Sequence, residues 1–382
     1  MPLSANPICR TLIVADDLTG ACDAAVAFAS AGRRPRVLLK GELNAAIDAD
    51  ICALSTNSRD VPLDVAEAKL SAIASQAIGF SRVFKKIDSA FRGNTAREIA
   101  LVARLFPARL SIVAPAYPAL GRSSRRGIIR IRDVHGEKTI DALTALRSVG
   151  LEVSCIPACI PEHAIAEQLL ASTRQGESSV VFCDAQEQPR LEAIVHAARR
   201  LPDRILWVGS GGLAHALAVA DGISDAGASA IQPGLVLLFV GSNHEVTIAQ
   251  VRRLFSRFDI ATWRLGNPPP NDLAETGAAL IPLACGQSEQ SAIAALAAQI
   301  DPDAVSCLFM TGGDTAALLC DSLGIEALDL QREFEPGLPQ GLAVGGRFSG
   351  CTIVLKSGGF GEAATLESVV RSFARCREIR AD

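Results

Sequence analysis

Short, almost wholly aliphatic runs alternate along this chain with longer Ala-rich stretches, and that alternation narrows the fold more than any other feature. Thr11–Ala15, Arg36–Lys40, Ile51–Ser55, Ser81–Ile87, Leu110–Ala114, Ser179–Cys183 and Ile205–Val208 have the length and branching of strands. Residues 21–31, 62–79, 94–106, 161–173, 186–200 and 212–220 read as helices. Strands that are apolar on both faces need cover on both sides, so the pattern predicts an α/β fold with mostly parallel sheet flanked by helices. The segment 221–234, DGISDAGASAIQPG, is small, polar and punctuated by Gly and Pro, as a linker is. Beyond it the alternation restarts, with strands expected at Leu235–Val240, Ile260–Leu265, Val305–Met310 and Cys351–Lys356 and a rigid loop at NPPPND (267–272). Two domains are therefore expected, residues 1–222 and 233–382, each with its own sheet.

Composition removes several classes of function. The net charge is −4, so no basic field attracts nucleic acid or an anionic membrane. Aromatics are 4%, too few for base-stacking platforms. The longest purely aliphatic or aromatic run, Leu235–Val240, is far too short to span a bilayer. Eleven cysteines contain no C-x-x-C, and five histidines form no H-x-x-x-H, so no dedicated metal cage is expected. The N-terminus, MPLSANPICR, lacks an apolar signal core. Reduced thiols in the cytoplasm are the expectation. Lysines are scarce: Lys40, Lys69, Lys85, Lys86, Lys138 and Lys356 stand against a Lys+Arg total of 37. A lysine inside a polar motif is therefore conspicuous.

Open α/β sheets bind ligands where strands end. In the first domain, TLIVA runs into Asp16, Asp17, Leu18, Thr19 and Gly20. Adjacent carboxylates there must be solvated, paired or used. Asp23 is expected in the first turn of the following helix, where the dipole favours it. Two readings stand for the aspartates: a general base with substrate or metal contacts, or a helix cap in a solvated loop. The third strand ends in STNSRD, with Arg59 suited to a carboxylate. The fourth gives KKIDSAFRGN, where Lys86, Asp88, Ser89 and Arg92 could grip a small polyhydroxy acid. PAYP carries Tyr117, the chain's one tyrosine, and GSGGLA (209–214) is a weak anion-binding signal beside a packing alternative.

The second domain has three Gly-containing loops after strands: Gly241-Ser242-Asn243-His244, Thr311-Gly312-Gly313-Asp314-Thr315 and Ser357-Gly358-Gly359-Phe360-Gly361. Backbone donors at strand ends and helix starts suit a polyphosphate, and Lys356 could neutralise its charge. No G-x-x-x-x-G-K-[ST] and no early G-x-G-x-x-G is present. A substrate domain joined to a phosphate-cradling domain points to phosphoryl transfer across an interdomain cleft.

ADDLTGA (15–21), STNSR (55–59), KIDSAFRGN (86–94), the PAYP–GR turn, GSGGLA, GSNHEVT (241–247), GGDTA (312–316) and KSGGFG (356–361) occur in the order seen in the four-carbon acid sugar kinases, which the chain resembles over nearly its whole length. The resemblance implies an ATP-dependent kinase, with Mg²⁺, that phosphorylates threonate, erythronate or 3-oxo-tetronate, typically at the 4-hydroxyl. It implies an acid-sugar site at Asp17, Arg59, Lys86, Asp88 and Ser89, with Arg92 close by. It also implies a nucleotide site at Ser242, Gly312, Gly313, Asp314, Thr315, Gly358 and Gly359. By physical role, Arg59 and Lys86 take the substrate's carboxylate and hydroxyls. Asp17 is the expected base, with Asp16 the alternative for base or Mg²⁺.

After Gly121-Arg122 the segment GIIRIRDVHGEKTIDALTALRSVG is shorter than its counterpart in that family, and His244-Glu245 replaces a more neutral stretch. Two other classes remain: a phosphohydrolase with an aspartate nucleophile, although such enzymes want D-x-D, and a non-catalytic ATP- and sugar-acid-binding protein. A small sugar acid and ATP are the expected partners, without nucleic acid or membrane, and a homo-oligomer is compatible with the sequence.

Overall fold

The computed structural model describes residues 10–40, 43, 48–77, 79–106, 108–133, 136–173, 179–201, 204–222, 232–284 and 289–375. The chain forms two compact units, Met1–Arg36 with Glu42–Asp225, and Val37–Gly41 with Ala226–Asp382. Most of the expected linker, residues 223–231, lies outside the described residues.

In the first unit the strands are β1 (Thr11–Ala15), β2 (Pro35–Leu38, which straddles the division), β3 (Ile51–Ser55), β4 (Arg82–Lys86), β5 (Leu110–Ala114), β6 (Arg122–Arg125), β7 (Ile128–Asp133), β8 (Gly136–Asp141), β9 (Val153–Ile156), β10 (Ser179–Cys183) and β11 (Ile205–Gly209). The helices are α1 (Leu18–Val26), α2 (Leu63–Gln76), α3 (Thr95–Leu105), α4 (Ala142–Ser148), α5 (Glu162–Thr173), α6 (Gln188–Ala198) and α7 (Gly211–Asp221). A parallel sheet runs in the order β3-β1-β4-β11-β5-β10-β9. Ala15 is in register with Ser55 and Lys86, and Gly209 with Lys86 and Ala114. The loops after β1, β3, β4, β5 and β11 therefore leave the sheet at one level of one edge.

The shortened segment after Arg122 builds a small antiparallel sheet, β6-β7-β8, that was not expected. Arg126 and Gly127 (φ 54° and 73°) close its first hairpin in the left-handed conformation that two-residue hairpins favour. Asp184, just beyond β10, accepts from the N–H groups of Arg126 and Gly127. Ser124 N donates to Ala185 O at 2.7 Å. Burial raises the Asp184 carboxyl above its ordinary value, more than these donors lower it.

The second unit has β12 (Leu235–Val240), β13 (Ala261–Thr262), β14 (Ala278–Pro282), β15 (Val305–Thr311), β16 (Ala327–Glu335), β17 (Leu338–Val344) and β18 (Thr352–Lys356). Its helices are α8 (Glu245–Arg257), α9 (Leu273–Thr276), α10 (Gln290–Ala298), α11 (Gly313–Ser322) and α12 (Thr365–Phe373). The order is β13-β14-β12-β15-β18-β17-β16, parallel through β18, with β16 and β17 forming an antiparallel hairpin. Val240, Thr311 and Lys356 end at the same level. Phe258, Phe309, Leu366 and Phe373 fill a core on one face.

Three expectations are corrected. Residues 37–41 group with the second unit, because Leu39 N and Lys40 N both donate to Glu326 O and Lys40 pairs with Asp321. The strand at Ile260–Leu265 shrinks to Ala261–Thr262, since Trp263 Nε1 donates to Asn267 O and turns the chain. Helix α1 begins at Leu18 rather than residue 21, because Asp17 caps it, so Asp23 falls in its second turn and faces inward. Among the described residues no helix is long and apolar enough to cross a membrane.

Candidate active site

The loop after β1 is shaped by Asp17. Its carboxylate accepts from Gly20 N at 2.9 Å, satisfying an orphan donor at the start of α1, and from Thr19 Oγ1 at 2.8 Å. The loop after β3 brings Arg59 into the same place. Arg59 Nε and Nη2 lie 2.8 and 3.1 Å from the two oxygens of Asp16, and Nη2 lies 2.9 Å from Asp17 Oδ1. Asp88 Oδ1 is 4.0 Å away. Burial raises Asp16, but the Arg59 hydrogen bond and the charges of Lys85, Arg59 and Lys86 outweigh it, and the net direction is down. With both oxygens engaged and its side chain 4% exposed, Asp16 fixes Arg59 rather than offering a free nucleophile. Asp17, at 20%, is the more open carboxylate.

The turn after β4 closes on Asp88. Its oxygens accept from Arg92 Nε and Nη2 at 2.9 and 2.8 Å, and from Ala90 N and Arg92 N. Burial opposes the charge, yet these bonds and the charges of Arg92 and Arg59 hold the carboxyl below the usual range. Asp88 thus orients Arg92, whose side chain remains 67% exposed. Ser89 is buried in the same turn. Lys86 is also buried, with its ammonium over Gly20; a Cβ there would meet it at 2.9 Å. The edge of this sheet therefore gathers Asp16, Asp17, Arg59, Lys86, Asp88, Ser89 and Arg92.

A layer behind these groups was not foreseen. Lys85 and Glu98, both wholly buried, form an ion pair of 2.6 Å, and Ser58 Oγ donates to Glu98 Oε1. Ser58 N donates to Asp16 O, Asn94 Nδ2 to Ser58 O and Val61 O, and Lys69 Nζ to Thr56 O. Gly93 (φ 67°) lets the chain pass Arg59, whose carbonyl would lie 2.3 Å from a Cβ at that position. Arg59 is thereby held before any ligand arrives. The signal for Glu98 is its phase on α3, since it shares the buried stripe of Thr95, Ile99 and Val102.

In the second unit the three glycine loops converge. Ser242 Oγ accepts from His244 N at 3.3 Å, and His244 Nδ1 caps α8 by accepting from Val246 N. A Cβ at Gly358 would lie 2.2 Å from Ser242 Oγ, and one at Gly359 would lie 3.1 Å from His244 Nε2. Gly312 (φ 101°) opens α11, with Gly313 and the exposed Asp314 in its first turn and Thr315 buried beneath. Gly312 N donates to Lys356 O. The loops set backbone N–H groups beside a helix N-terminus, the chemistry that receives phosphate.

Lys356 is not free for a phosphate, contrary to expectation. It is wholly buried, and its ammonium donates to Thr247 Oγ1 and to the carbonyls of Ser357, Gly358 and Phe360 at 2.9–3.1 Å. It folds the loop from behind. Burial pushes it down to about 7, partly opposed by Glu335, from an ordinary 10.5. Between those values the unfolded chain binds the extra proton, so this group's contribution to stability rises with pH. The melting temperature of the wild type, relative to Lys356→Met, is expected to rise from pH 7 to about pH 8.5. A flat or falling difference in thermal denaturation would show that the buried ammonium keeps its proton.

A cluster of cations and carboxylates at the strand ends of one unit and glycine loops at the strand ends of the other are the parts a phosphotransferase class uses. Residues 11–217 match the family described as sugar-binding N-terminal domain, and residues 270–366 the nucleotide-binding C-terminal domain. A D-threonate kinase of Cupriavidus necator is 33% identical over 376 residues, 86% of this chain and 89% of its own. A D-threonate kinase of Salmonella typhimurium is 29% identical over 418 residues, 94% of this chain and 96% of its own. A crystal structure from Salmonella typhimurium LT2, described as a candidate tRNA synthase, superposes with a TM-score of 0.75 at 19% identity, covering 95% of this chain and 99% of that one; at that identity the likeness carries the fold alone. The chain belongs to the four-carbon acid sugar kinase family and is a carbohydrate kinase.

Proposed function

We propose that the protein transfers the γ-phosphoryl group of ATP to the 4-hydroxyl of a four-carbon sugar acid, with D-threonate the leading substrate. The observation that carries this reading is the preorganised cation set of Arg59, Lys86 and Arg92 beside Asp17, the more exposed of the two adjacent carboxylates. Arg59 and Lys86 bind the substrate carboxylate and neighbouring hydroxyls. Asp17 accepts the proton of the attacking hydroxyl. The N–H groups around Gly312–Thr315 and Gly358–Gly359, with Ser242, receive the ATP phosphates. Phosphoryl transfer needs positioning and charge neutralisation more than covalent help, and such fixed donors supply both.

Among the described residues no group of His, Cys, Asp and Glu side chains gathers to hold a metal ion. Asp16 and Asp88 are committed to Arg59 and Arg92 instead. Mg²⁺ is accordingly assigned to the ATP phosphates rather than to a cage of this chain, which suits an ion that keeps its waters and few carboxylates.

The test is ADP release with ATP and a panel of threonate, erythronate and 3-oxo-tetronate stereoisomers. D-Threonate is expected to give the highest kcat/KM, and phosphorus-coupled NMR of the product is expected to place phosphate on C4. No turnover with any sugar acid, in folded protein, would overturn the proposal.

A further inference from the structure

Three features named in the sequence have no place in the machinery above: Asp23, Tyr117 and the glycine run 209–212. The fold brings all three to one point behind Lys86. Asp23 is buried in the second turn of α1. The hydroxyl of Tyr117, in the loop after β5, donates to Asp23 Oδ1 at 3.1 Å. The Lys86 ammonium lies 3.9 Å from Asp23 Oδ2, with both side chains 7% exposed.

The glycines explain why this meeting is allowed. A Cβ at Gly211 would lie 2.4 Å from Tyr117 Cε1 and 2.7 Å from Asp23 Oδ2. Cβ atoms at Gly209 and Gly212 would collide with the carbonyls of Ala114 and Ala116, at 2.6 and 2.4 Å. Ser210 Oγ donates to Ala116 O and does not cap α7. The glycine run is thus a close-packing device, and the anion beside the N-terminus of α7 is the carboxylate of Asp23. That helix end and the Tyr117 hydroxyl both favour a negative charge there.

We infer that Asp23, oriented by Tyr117, is a positioning residue that fixes the Lys86 ammonium for the sugar acid. The inference rests on the sugar-acid site proposed above. A buried lysine without an anion would lose its charge or its place. An anion in direct contact would occupy the donors a substrate needs. At 3.9 Å, Asp23 supplies the counter-charge while the ammonium keeps its hydrogen-bond directions open. Gly20 leaves room on the α1 side.

The experiment compares wild type, Asp23→Asn, Tyr117→Phe, the double variant and Lys86→Met, using the sugar acid that the panel selects and ATP. Asp23→Asn keeps the shape and an acceptor for Tyr117 but removes the charge. It is expected to raise the KM for the sugar acid about tenfold with the KM for ATP unchanged, whatever the loss of a buried counter-charge costs in melting temperature. Tyr117→Phe is expected to raise the same KM about threefold. The double variant is expected to be no worse than Asp23→Asn, because Tyr117 acts through Asp23. A lower melting temperature with no selective change in sugar-acid KM would overturn the inference and leave Asp23 a structural counter-ion. Should Asp23→Asn not fold, Tyr117→Phe decides, and an unchanged sugar-acid KM in it overturns the inference. Lys86→Met separates the two ideas. If Lys86→Met is impaired and Asp23→Asn is not, this inference fails alone. If Lys86→Met binds sugar acid normally, the placement of Lys86 fails and the inference with it.

Discussion

Asp17→Asn is expected to lower turnover by about 10²–10⁴-fold while ATP binding and melting temperature stay at wild-type values. Asp17 caps α1, faces Arg59 Nη2 at 2.9 Å and is the proposed base, and the substitution keeps an acceptor oxygen for the first two while removing the third. As the cap of α1 it accepts from Gly20 N and Thr19 Oγ1. Asparagine is as good a cap as aspartate, so the helix start survives. As a base it must take a proton, which an amide oxygen does not do at neutral pH. The other carboxylates do not substitute readily. Asp16 is closed by Arg59, and Asp88 is closed by Arg92 and backbone N–H groups. Steady-state kinetics with calorimetric ATP titration checks both halves. Wild-type turnover would remove Asp17 from the role of base.

Lys85→Met is expected to cost about 3–5 kcal/mol of stability, since it leaves Glu98 charged and unpaired in the interior. The informative comparison is the double variant Lys85→Met/Glu98→Leu. Replacing both charges with apolar groups is expected to recover most of the stability. It does not restore the acceptor for Ser58, so the loop carrying Arg59 loses its tie to α3. The KM for the sugar acid is expected to remain raised while the melting temperature returns. If both return together, the buried pair serves stability alone.

The readable part of this molecule was the part in which one residue type dominates a short window. Runs such as TLIVA, LSIVA and TIVLK can bury both faces only in a covered parallel sheet, and they do. Their ends are equally legible, because a parallel sheet places every C-terminal end on one edge. What stayed hidden depends on distance through space. Lys85 and Glu98 are 13 positions apart, and neither the strand that carries one nor the helix phase of the other names its partner until α3 is laid against β4. Lys356 was misread for the same reason: a lysine before a glycine loop suits a phosphate, but here the loop wraps the ammonium. The hairpin β16–β17 hides in the mixed sequence QREFEPGLPQG, where Pro336 and Gly337 (φ 76°) close a turn between strands of uneven burial. Asp23 sits one turn further into its helix than a start at residue 21 implies, because the Leu18-Thr19-Gly20 step, which reads as loop, is helical once Asp17 caps it.

The antiparallel trio β6–β8 leaves the main sheet at Tyr117, which bridges to Arg122, and the chain rejoins it through α4 at β9. No strand of the trio takes part in the parallel ladder. Residues added at the connection between β7 and β8 lengthen an excursion rather than a core strand, at a modest entropic cost. Its root is nevertheless the tyrosine that touches Asp23. This appendage is therefore moored at two places, by Tyr117 at its root and by Asp184 and Ala185 at its first hairpin, and only its second connection is left for evolution or an engineer to lengthen.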